Sequence, residues 1–331
     1  MLDQPAPFAD VTALPAAAEQ APILVTGAPR SGSTWLGNVL SLAPNVGFVH
    51  EPFNQHCSLG LCRAGFPHSF VHVTEANEAR YLAPMRDTLA WRFSPGAELR
   101  AIPTRARPRP PRALARLLRD YAYFEQMRRR GARMIVKDPI ALFSADWLAR
   151  RFGAKVVVLI RHPAGFVASM QAAGFVMNFQ AFRRQPSLME GRLAPFADEI
   201  RAAAEPSPSL EANTLLWRIL HHHIALLADE HPDWIFVRHE DLSRDPLGGF
   251  PPLFARLGLP YTPAVADGLA QFTSDQPALG RFSIFGTKRR TMRSSAASIH
   301  AFRSRLAPDE IASIRRLAAP LSERFYDASD W

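Results

Sequence analysis

The chain has 331 residues, 47% of them hydrophobic, which is enough to bury a large core. Its formal net charge of +9 indicates anionic ligands or surfaces, but no segment resembles a nucleic-acid-binding module. No stretch approaches the ~20 uninterrupted apolar residues that span a bilayer. The first 22 residues contain Asp3, Asp10 and Glu19 and lack the basic start and apolar stretch of a signal peptide. We therefore expect one cytoplasmic domain over 1–331, with 1–21 as an N-terminal extension.

The first predicted elements are a strand, a glycine-rich loop and a helix. Ile23–Thr26 is a short apolar strand, and a helix is predicted over Thr34–Leu42. Between them, Gly27 and Gly32 have the spacing of a phosphate-binding loop, G-x-x-x-x-G-K-[ST]. The order and the spacing together predict a loop that binds phosphate through backbone N–H groups at a helix N-terminus.

This loop lacks the lysine of the pattern. Ser33 occupies that position, and the nearest cation in the sequence is Arg30, inside the loop. The missing lysine normally contacts the β- and γ-phosphates of a nucleoside triphosphate. The loop therefore fits a nucleotide whose 5′ end carries a different anionic group.

Strands and helices alternate through the rest of the chain, which predicts a mostly parallel sheet covered on both faces. The predicted strands are Val46–His50, Met134–Val136, Lys155–Ile160 and Trp234–Val237. The predicted helices are Ala113–Arg130, Ser144–Phe152, Ala164–Ala173, Leu210–Glu230 and Pro308–Phe325. Residues 53–112 are irregular and end in an Arg-Pro tract, so we interpret them as an insertion or mobile flap, and 175–209 as a second insertion.

Polar residues follow three of these strands, in addition to the glycine-rich loop. They are Glu51, Lys137 and Arg161. Ligands of parallel α/β sheets bind beyond the carboxyl ends of the strands. We therefore expect these side chains and the loop to meet in one crevice.

The segment P-R-S-G-S-T-W at Pro29–Trp35, followed downstream by Arg161 and then Ser169, resembles the sulfotransferases that use 3′-phosphoadenosine 5′-phosphosulfate (PAPS). Val237–Leu242 and Leu257–Pro260 are similar to further segments of that superfamily. The resemblance implies an α/β, three-layer P-loop-like fold with a central, mostly parallel sheet flanked by helices. It also implies PAPS as co-substrate, 3′-phosphoadenosine 5′-phosphate as product, and no metal.

The resemblance further implies residues that bind the nucleotide. On the 5′ side these are Arg30, Ser31, Gly32, Ser33, Thr34 and Trp35, with Trp35 near the adenine. Arg161 and Ser169 would hold the 3′-phosphate, where a planar guanidinium suits the anion. Lys288 and Arg289 lie in a basic segment that could contact the same phosphate, although the usual R-K-G signature is absent. Surface ion pairing for Arg161 and helix packing for Trp35 remain alternatives.

Glu51 precedes Pro52, as a glutamate does in the carbohydrate sulfotransferases, and is the candidate base that deprotonates the acceptor hydroxyl. His50 is the second candidate, because a neutral imidazole has a suitable pKa. Lys137 and Arg30 would stabilise the transferring sulfuryl group. Each of these residues also has a non-catalytic alternative. Glu51 would be a structural carboxylate in a turn, and Lys137 would form an ion pair with Asp138.

The sequence thus favours sulfuryl transfer to a hydroxyl of a glycan, glycolipid or glycosylated metabolite, with 53–112 and 175–209 as flaps on the acceptor side. A lipid or aromatic alcohol fits the same chemistry. A P-loop kinase and a non-catalytic nucleotide-binding protein are hypotheses of other classes. The Arg-Pro tract has two interpretations: it contacts an anionic membrane surface, or it is an ordinary solvated loop. Three consecutive histidines from His221 cannot bind one ion from a helix, so no metal site is predicted.

Overall fold

The computed structural model describes residues 20–101, 110–203, 205–273 and 299–331. Its sheet has five parallel strands in the order β2-β3-β1-β4-β5. In chain order they are β1 Ile23–Gly27, β2 Val46–His50, β3 Arg133–Lys137, β4 Lys155–Ile160 and β5 Ile235–Arg238. After β1 the chain adds β2 and β3 on one side and then β4 and β5 on the other. β1 is therefore central, and its carboxyl end is where a ligand is expected to bind in a sheet of this kind.

Fourteen α-helices connect and cover these strands in the described residues. In order they are α1 Ser33–Leu40, α2 Ala79–Leu89, α3 Pro95–Ala101, α4 Pro110–Arg129, α5 Ala145–Phe152, α6 Pro163–Ala172, α7 Gln180–Arg183, α8 Pro186–Glu190, α9 Ala197–Ala202, α10 Leu210–Glu230, α11 His239–Arg244, α12 Pro246–Leu257, α13 Pro263–Thr273 and α14 Pro308–Ala318. Short 3₁₀ helices cover Pro139–Ser144, Ala194–Phe196, Ala301–Ser304, Leu321–Arg324 and Ala328–Asp330.

The sheet separates two hydrophobic cores, because successive strand residues point to opposite faces. Leu24 and Val158 face the core that contains α6 and α10, whereas Val25 and Leu159 face the core that contains α1 and α12. The strands β1, β3 and β4 are almost fully buried, as expected for parallel strands covered on both sides. The predicted three-layer α/β fold with a central parallel sheet is confirmed.

Most predicted elements are present, with ends that differ by a few residues, but two expectations are wrong. The last long helix ends at Ala318 rather than Phe325. Pro320 disfavours a helical conformation at the residue before it, and Ala319 is extended.

The second correction concerns residues 53–112, which we predicted to be irregular. Where described, this segment contains α2 and α3, and its aromatic side chains are buried in the larger core. Phe66 stacks between Phe53 and Tyr81 at ring-centroid distances of 4.1 and 5.0 Å. Whether this segment faces an acceptor stays a prediction. None of the helices in the described ranges is long and apolar enough to cross a membrane.

Candidate functional site

The glycine-rich loop turns tightly from β1 into α1. Gly27 has a φ of 126°, and a Cβ there would lie 2.3 Å from the carbonyl oxygen of Leu159 on the neighbouring strand. Arg30 and Gly32 also have positive φ values, of 65° and 88°. Gly32 is the N-cap of α1, so the N–H groups of the first helical turn have no intrahelical acceptors. The loop therefore has the geometry of an anion-binding helix N-terminus.

Several polar side chains beneath this loop are buried without a hydrogen-bond partner in the described part of the chain. They include the hydroxyls of Thr26 and Ser31, the indole nitrogen of Trp35 and Nδ1 of His239. A Cβ on Gly32 would lie 2.6 Å from Nδ1 of His239, so this imidazole lies directly against the loop. Burial, and then the charge of Arg161, lowers the pKa of His239 to about 3, which keeps the ring neutral.

Arg30, Arg161 and Ser169 come together beside the loop. Nε of Arg30 donates to Oγ of Ser169 at 3.2 Å. The Arg161 guanidinium donates through Nη1 to the backbone carbonyl of Arg30, and its Nε has no partner among the described residues. Arg161 therefore makes a loop contact rather than the surface ion pair considered from the sequence. Two guanidinium groups and a hydroxyl at one place form a site suited to an anion such as phosphate.

The backbone of Arg161 is held on both sides by α10. Nε1 of Trp217 donates to the Arg161 carbonyl at 2.8 Å, and the Arg161 N–H donates to Nε2 of His221 at 3.3 Å. Nδ1 of His221 lies 2.9 Å from the Trp217 carbonyl. Accepting at Nε2 requires the proton on Nδ1, so these contacts define the neutral tautomer. Burial lowers the pKa of His221 to about 3.

On the other side of β1, Lys137 and Glu51 form a close ion pair. Nζ of Lys137 lies 2.5 Å from Oε1 of Glu51, and the Glu51 N–H donates to the Lys137 carbonyl at 2.8 Å. Nδ2 of Asn54 donates to Oε2 of Glu51 at 3.1 Å. Nε2 of His50 is 3.8 Å from Oε1 of Glu51. The predicted base, its competitor and the predicted cation therefore lie together.

Burial acts to raise the pKa of Glu51, but the charges of Lys137 and then His50 act against it and leave this pKa below its ordinary value. Burial, and then the charge of Lys137, lowers the pKa of His50. Glu51 is therefore an ionised carboxylate and His50 a neutral imidazole at neutral pH. Both are able to accept a proton.

Asp138 is fully buried and connects the Glu51 turn to the end of β3. Oδ2 accepts from the Phe53 N–H at 2.7 Å, and Oδ1 accepts from the N–H groups of Ile140 and Ala141 at 2.9 and 3.2 Å. Burial, and then the charge of Glu51, raises the pKa of Asp138 to about 7. Lys137 thus pairs with Glu51. The non-catalytic alternative considered for this lysine was an ion pair with Asp138, and the structure does not show that pair.

The remaining predicted residues have mixed positions. Ser33 is buried, Thr34 is exposed, and Trp35 is buried in the core with its ring edge-on to Phe250 at 5.2 Å. A role for Trp35 beside adenine stays a prediction, as do the other nucleotide contacts. Lys288 and Arg289 lie outside the described residues.

Sequence reasoning missed His221, Trp217 and Asp138 as supports of the site. His221 was considered only as a metal ligand, and no group of three or more potential ligands is found in the part of the chain that the structure describes. Asp138 was noticed only as a partner of Lys137. Its position just before Pro139, where a short helix begins, was a capping signal that could have identified it.

The sequence model of a family described as "Sulfotransferase family" matches residues 22–263, which is more than half of the chain. The parallel sheet and the loop at the end of β1 define an α/β protein with a phosphate-type loop, and the match identifies its family. The chain belongs to the sulfotransferase family.

Among curated proteins, the chain is 26% identical to carbohydrate sulfotransferase 1 of Mus musculus over 191 residues. The match covers 54% of this chain and 38% of the mouse protein, so it spans less than half of that relative.

Two solved structures are similar over most of the chain. A sulfotransferase domain from the Synechococcus PCC 7002 olefin synthase is 18% identical, with a TM-score of 0.44, and the match covers 92% of this chain and 95% of that domain. A sulfotransferase domain from the curacin biosynthetic pathway is 16% identical, with a TM-score of 0.47, and the match covers 91% and 97%.

Proposed function

We propose that the protein transfers a sulfuryl group from PAPS to a hydroxyl acceptor. The observation that carries the proposal is the junction of Arg30, Arg161 and Ser169 beside a phosphate-type loop that lacks its lysine. The loop, with Arg30, offers donors for one anionic group, and Arg161 with Ser169 offers a second anion site beside it. A nucleotide with a 5′-phosphosulfate and a 3′-phosphate has the two anionic groups that such a pair of sites requires.

In the proposed reaction, Glu51 accepts the proton of the acceptor hydroxyl. The acceptor oxygen then forms a bond to sulfur, and the bond between sulfur and the 5′-phosphate oxygen breaks. The electron pair of that bond leaves with 3′-phosphoadenosine 5′-phosphate. Lys137 and Arg30 stabilise the negative charge on the sulfuryl oxygens and on the leaving oxygen. Because Lys137 already touches Glu51, one movement of its ammonium toward sulfate frees the carboxylate for the hydroxyl.

A sugar hydroxyl is the acceptor class that we propose, on a glycan, glycolipid or glycosylated metabolite. The Glu51-Pro52 turn, the Lys137-Asp138-Pro139 segment and the match to a carbohydrate sulfotransferase support this choice. Lipid and aromatic alcohols would use the same base and the same cations. A screen with labelled PAPS against glycans, glycolipids and phenols distinguishes these acceptors.

Calorimetry tests the donor. We expect tight binding of 3′-phosphoadenosine 5′-phosphate that is independent of magnesium, and much weaker binding of ADP and ATP. Tight, magnesium-dependent binding of ATP would instead support a kinase and contradict the proposal. Tight binding of the 3′-phosphorylated nucleotide without turnover of any acceptor would indicate a nucleotide-binding protein that lacks catalysis.

A further inference from the structure

The peptide group that follows Arg161 is held on both sides by side chains. Its carbonyl oxygen accepts from Nε1 of Trp217 at 2.8 Å. Its N–H, which belongs to His162, donates to Oε1 of Glu240 at 3.0 Å. Glu240 lies in α11, which directly follows β5, the neighbour of β4 in the sheet. The two contacts therefore fix the backbone from which the Arg161 side chain extends.

The hydroxyl of Tyr326 holds the other oxygen of this carboxylate. It donates to Oε2 of Glu240 at 2.9 Å, and both residues are buried, each 3% exposed. Burial, and then the charge of Glu240, raises the pKa of Tyr326 well above its ordinary value, so the hydroxyl keeps its proton and is the donor. Each oxygen of Glu240 thus has a donor, and Tyr326 fixes the direction in which the carboxylate points.

The ring of Tyr326 is fixed independently of its hydroxyl. The Arg238 guanidinium lies over the ring, 4.5 Å from its centroid. Tyr326 also belongs to a group of aromatic side chains from residues 299–331 that enclose the His162 ring, at centroid distances between 4.4 and 4.9 Å. A variant that lacks only the hydroxyl should therefore keep the ring in place. The members of the group are Phe302, Tyr326 and Trp331.

Residues 299–331 lie beyond the span 22–263 that the sulfotransferase family model matches, so the match assigns them no part in the site. Their helix α14 packs against α6 and α10. The hydrogen bond from Tyr326 to Glu240 connects this segment to the strand end that carries Arg161. The contacts therefore give a segment outside the match a direct connection to the site.

Glu240 and Arg161 interact electrostatically without forming an ion pair. Burial raises the pKa of Glu240, and the positive charge of Arg161 acts against this rise. No ion pair joins the two groups in the described part of the chain, where the carboxylate oxygens are held by the His162 N–H and the Tyr326 hydroxyl. Nε of Arg161 has no partner among the residues that the structure describes. The guanidinium thus keeps a donor for an anion.

We propose that Tyr326 is a positioning residue for the 3′-phosphate, a role that rests on the proposed use of PAPS. By holding Oε2 of Glu240, its hydroxyl keeps the carboxylate on the His162 N–H and away from the Arg161 guanidinium. Without the hydroxyl, one oxygen of a buried carboxylate loses its donor, and pairing with Arg161 becomes a favourable replacement. Glu240 then competes with the 3′-phosphate for Arg161.

Calorimetry with two nucleotides tests this role on the full chain. Tyr326→Phe removes the hydroxyl alone, and affinity for 3′-phosphoadenosine 5′-phosphate should fall about three- to tenfold. Affinity for ADP, which lacks the 3′-phosphate, should change little. Adding Glu240→Gln to this variant should restore most of the lost affinity. The amide oxygen still accepts from the His162 N–H, but an uncharged side chain does not compete for Arg161.

Tyr81→Phe is the matched control, because Tyr81 is also a buried tyrosine, 6% exposed, and stacks on Phe66 in the larger core. It should leave both affinities unchanged. Three outcomes would overturn the proposal: equal losses for the two nucleotides in Tyr326→Phe, unchanged affinities in that variant, or a loss that Glu240→Gln does not reverse. A purely structural role of Tyr326 would produce the last of these.

The unsubstituted protein separates this role from the proposed function. If it binds the two nucleotides equally, the proposed use of PAPS is wrong, and the role of Tyr326 is wrong with it. If it prefers 3′-phosphoadenosine 5′-phosphate and Tyr326→Phe keeps the whole preference, only the role of Tyr326 is wrong.

Discussion

The Lys137 ammonium contacts the Glu51 carboxylate at 2.5 Å, across the ends of two neighbouring strands. The same two residues are joined by a backbone hydrogen bond from the Glu51 N–H to the Lys137 carbonyl. The ion pair and the backbone hydrogen bond therefore hold the Glu51 carboxylate and the Lys137 ammonium side by side at the end of the sheet. In the proposed reaction this ion pair has to open before the carboxylate can accept a proton.

Replacing Glu51 with glutamine should lower kcat by about 10²–10⁴-fold, the range expected when a general base is removed. The amide keeps the shape of the side chain, so affinity for 3′-phosphoadenosine 5′-phosphate should be retained. Steady-state kinetics and calorimetry measure the two quantities. His50→Asn is the matched variant: if it loses the activity and Glu51→Gln does not, His50 is the base.

Replacing Lys137 with methionine should alter the pH profile as well as the rate. Burial acts to raise the pKa of Glu51 and the Lys137 charge acts to lower it, so removing the charge should raise this pKa. Because the proposed reaction requires ionised Glu51, activity should start to fall at a higher pH in the variant than in the unsubstituted protein as the solution is made more acidic. The variant should also lose about 10²–10³-fold in kcat/KM. A profile with an unchanged acid limb would show that Lys137 does not control the titration of the base.

His221→Phe should weaken discrimination of the 3′-phosphate. Phenylalanine keeps an aromatic ring at this buried position, although a larger one, and it has no acceptor for the Arg161 N–H, whose loss costs about 1 kcal/mol or more. We expect affinity for 3′-phosphoadenosine 5′-phosphate to fall at least about fivefold while affinity for ADP changes little. Calorimetry with both nucleotides gives the ratio.

An equal loss of affinity for both nucleotides would indicate general destabilisation instead. His222→Phe is the neighbouring control, because the His222 ring packs against Phe196 at a ring-centroid distance of 5.2 Å. It should leave the ratio of the two affinities unchanged.

Asp138→Asn should destabilise the fold by about 1–3 kcal/mol at acidic pH, because the amide cannot satisfy all three N–H groups that the carboxyl group holds. The pKa of Asp138 is raised from 3.8 to about 7, mainly by burial, so the native state keeps a proton that the unfolded chain releases. The stability that comes from this proton is complete below the unfolded pKa and is lost as the pH rises through about 7.

Asparagine does not titrate, so the stability of the variant lacks this pH dependence. The difference in stability between the wild type and the variant should therefore shrink as the pH rises from 3.8 to about 7. Urea unfolding of both proteins across this range measures the deficit. A deficit that is the same at every pH would show that Asp138 does not titrate with a raised pKa.

The edge of the sheet where the site lies could be predicted from the sequence because short apolar strands are each followed by a polar residue. Parallel strands bring their carboxyl ends together, which is why Glu51 and Lys137 were expected to meet. Their direct contact could not be predicted, since it depends on the register of β2 against β3. That register pairs His50 with Lys137 and leaves Glu51 just beyond.

The supports of Arg161 could not be predicted for a different reason. His221 and Trp217 are separated from it by about sixty residues, and the helical period of α10 does not reveal which of its polar atoms meets a neighbouring strand end. The order in residues 53–101 was missed because its aromatic stacks are formed by residues far apart in sequence, without a period. The end of α14 could have been predicted, because Pro320 was a signal in the sequence.

The contact from Arg161 to the Arg30 carbonyl, together with the Arg30 to Ser169 hydrogen bond, joins the loop after β1 to the end of β4 and to α6. Displacing either arginine therefore disturbs the environment of the other. Their contributions to the free energy of nucleotide binding should not add: a double-mutant cycle on Arg30 and Arg161 should give a coupling energy clearly different from zero. The two arginines would then act as a unit in nucleotide binding, so that the loss caused by removing both would differ from the sum of the two single losses.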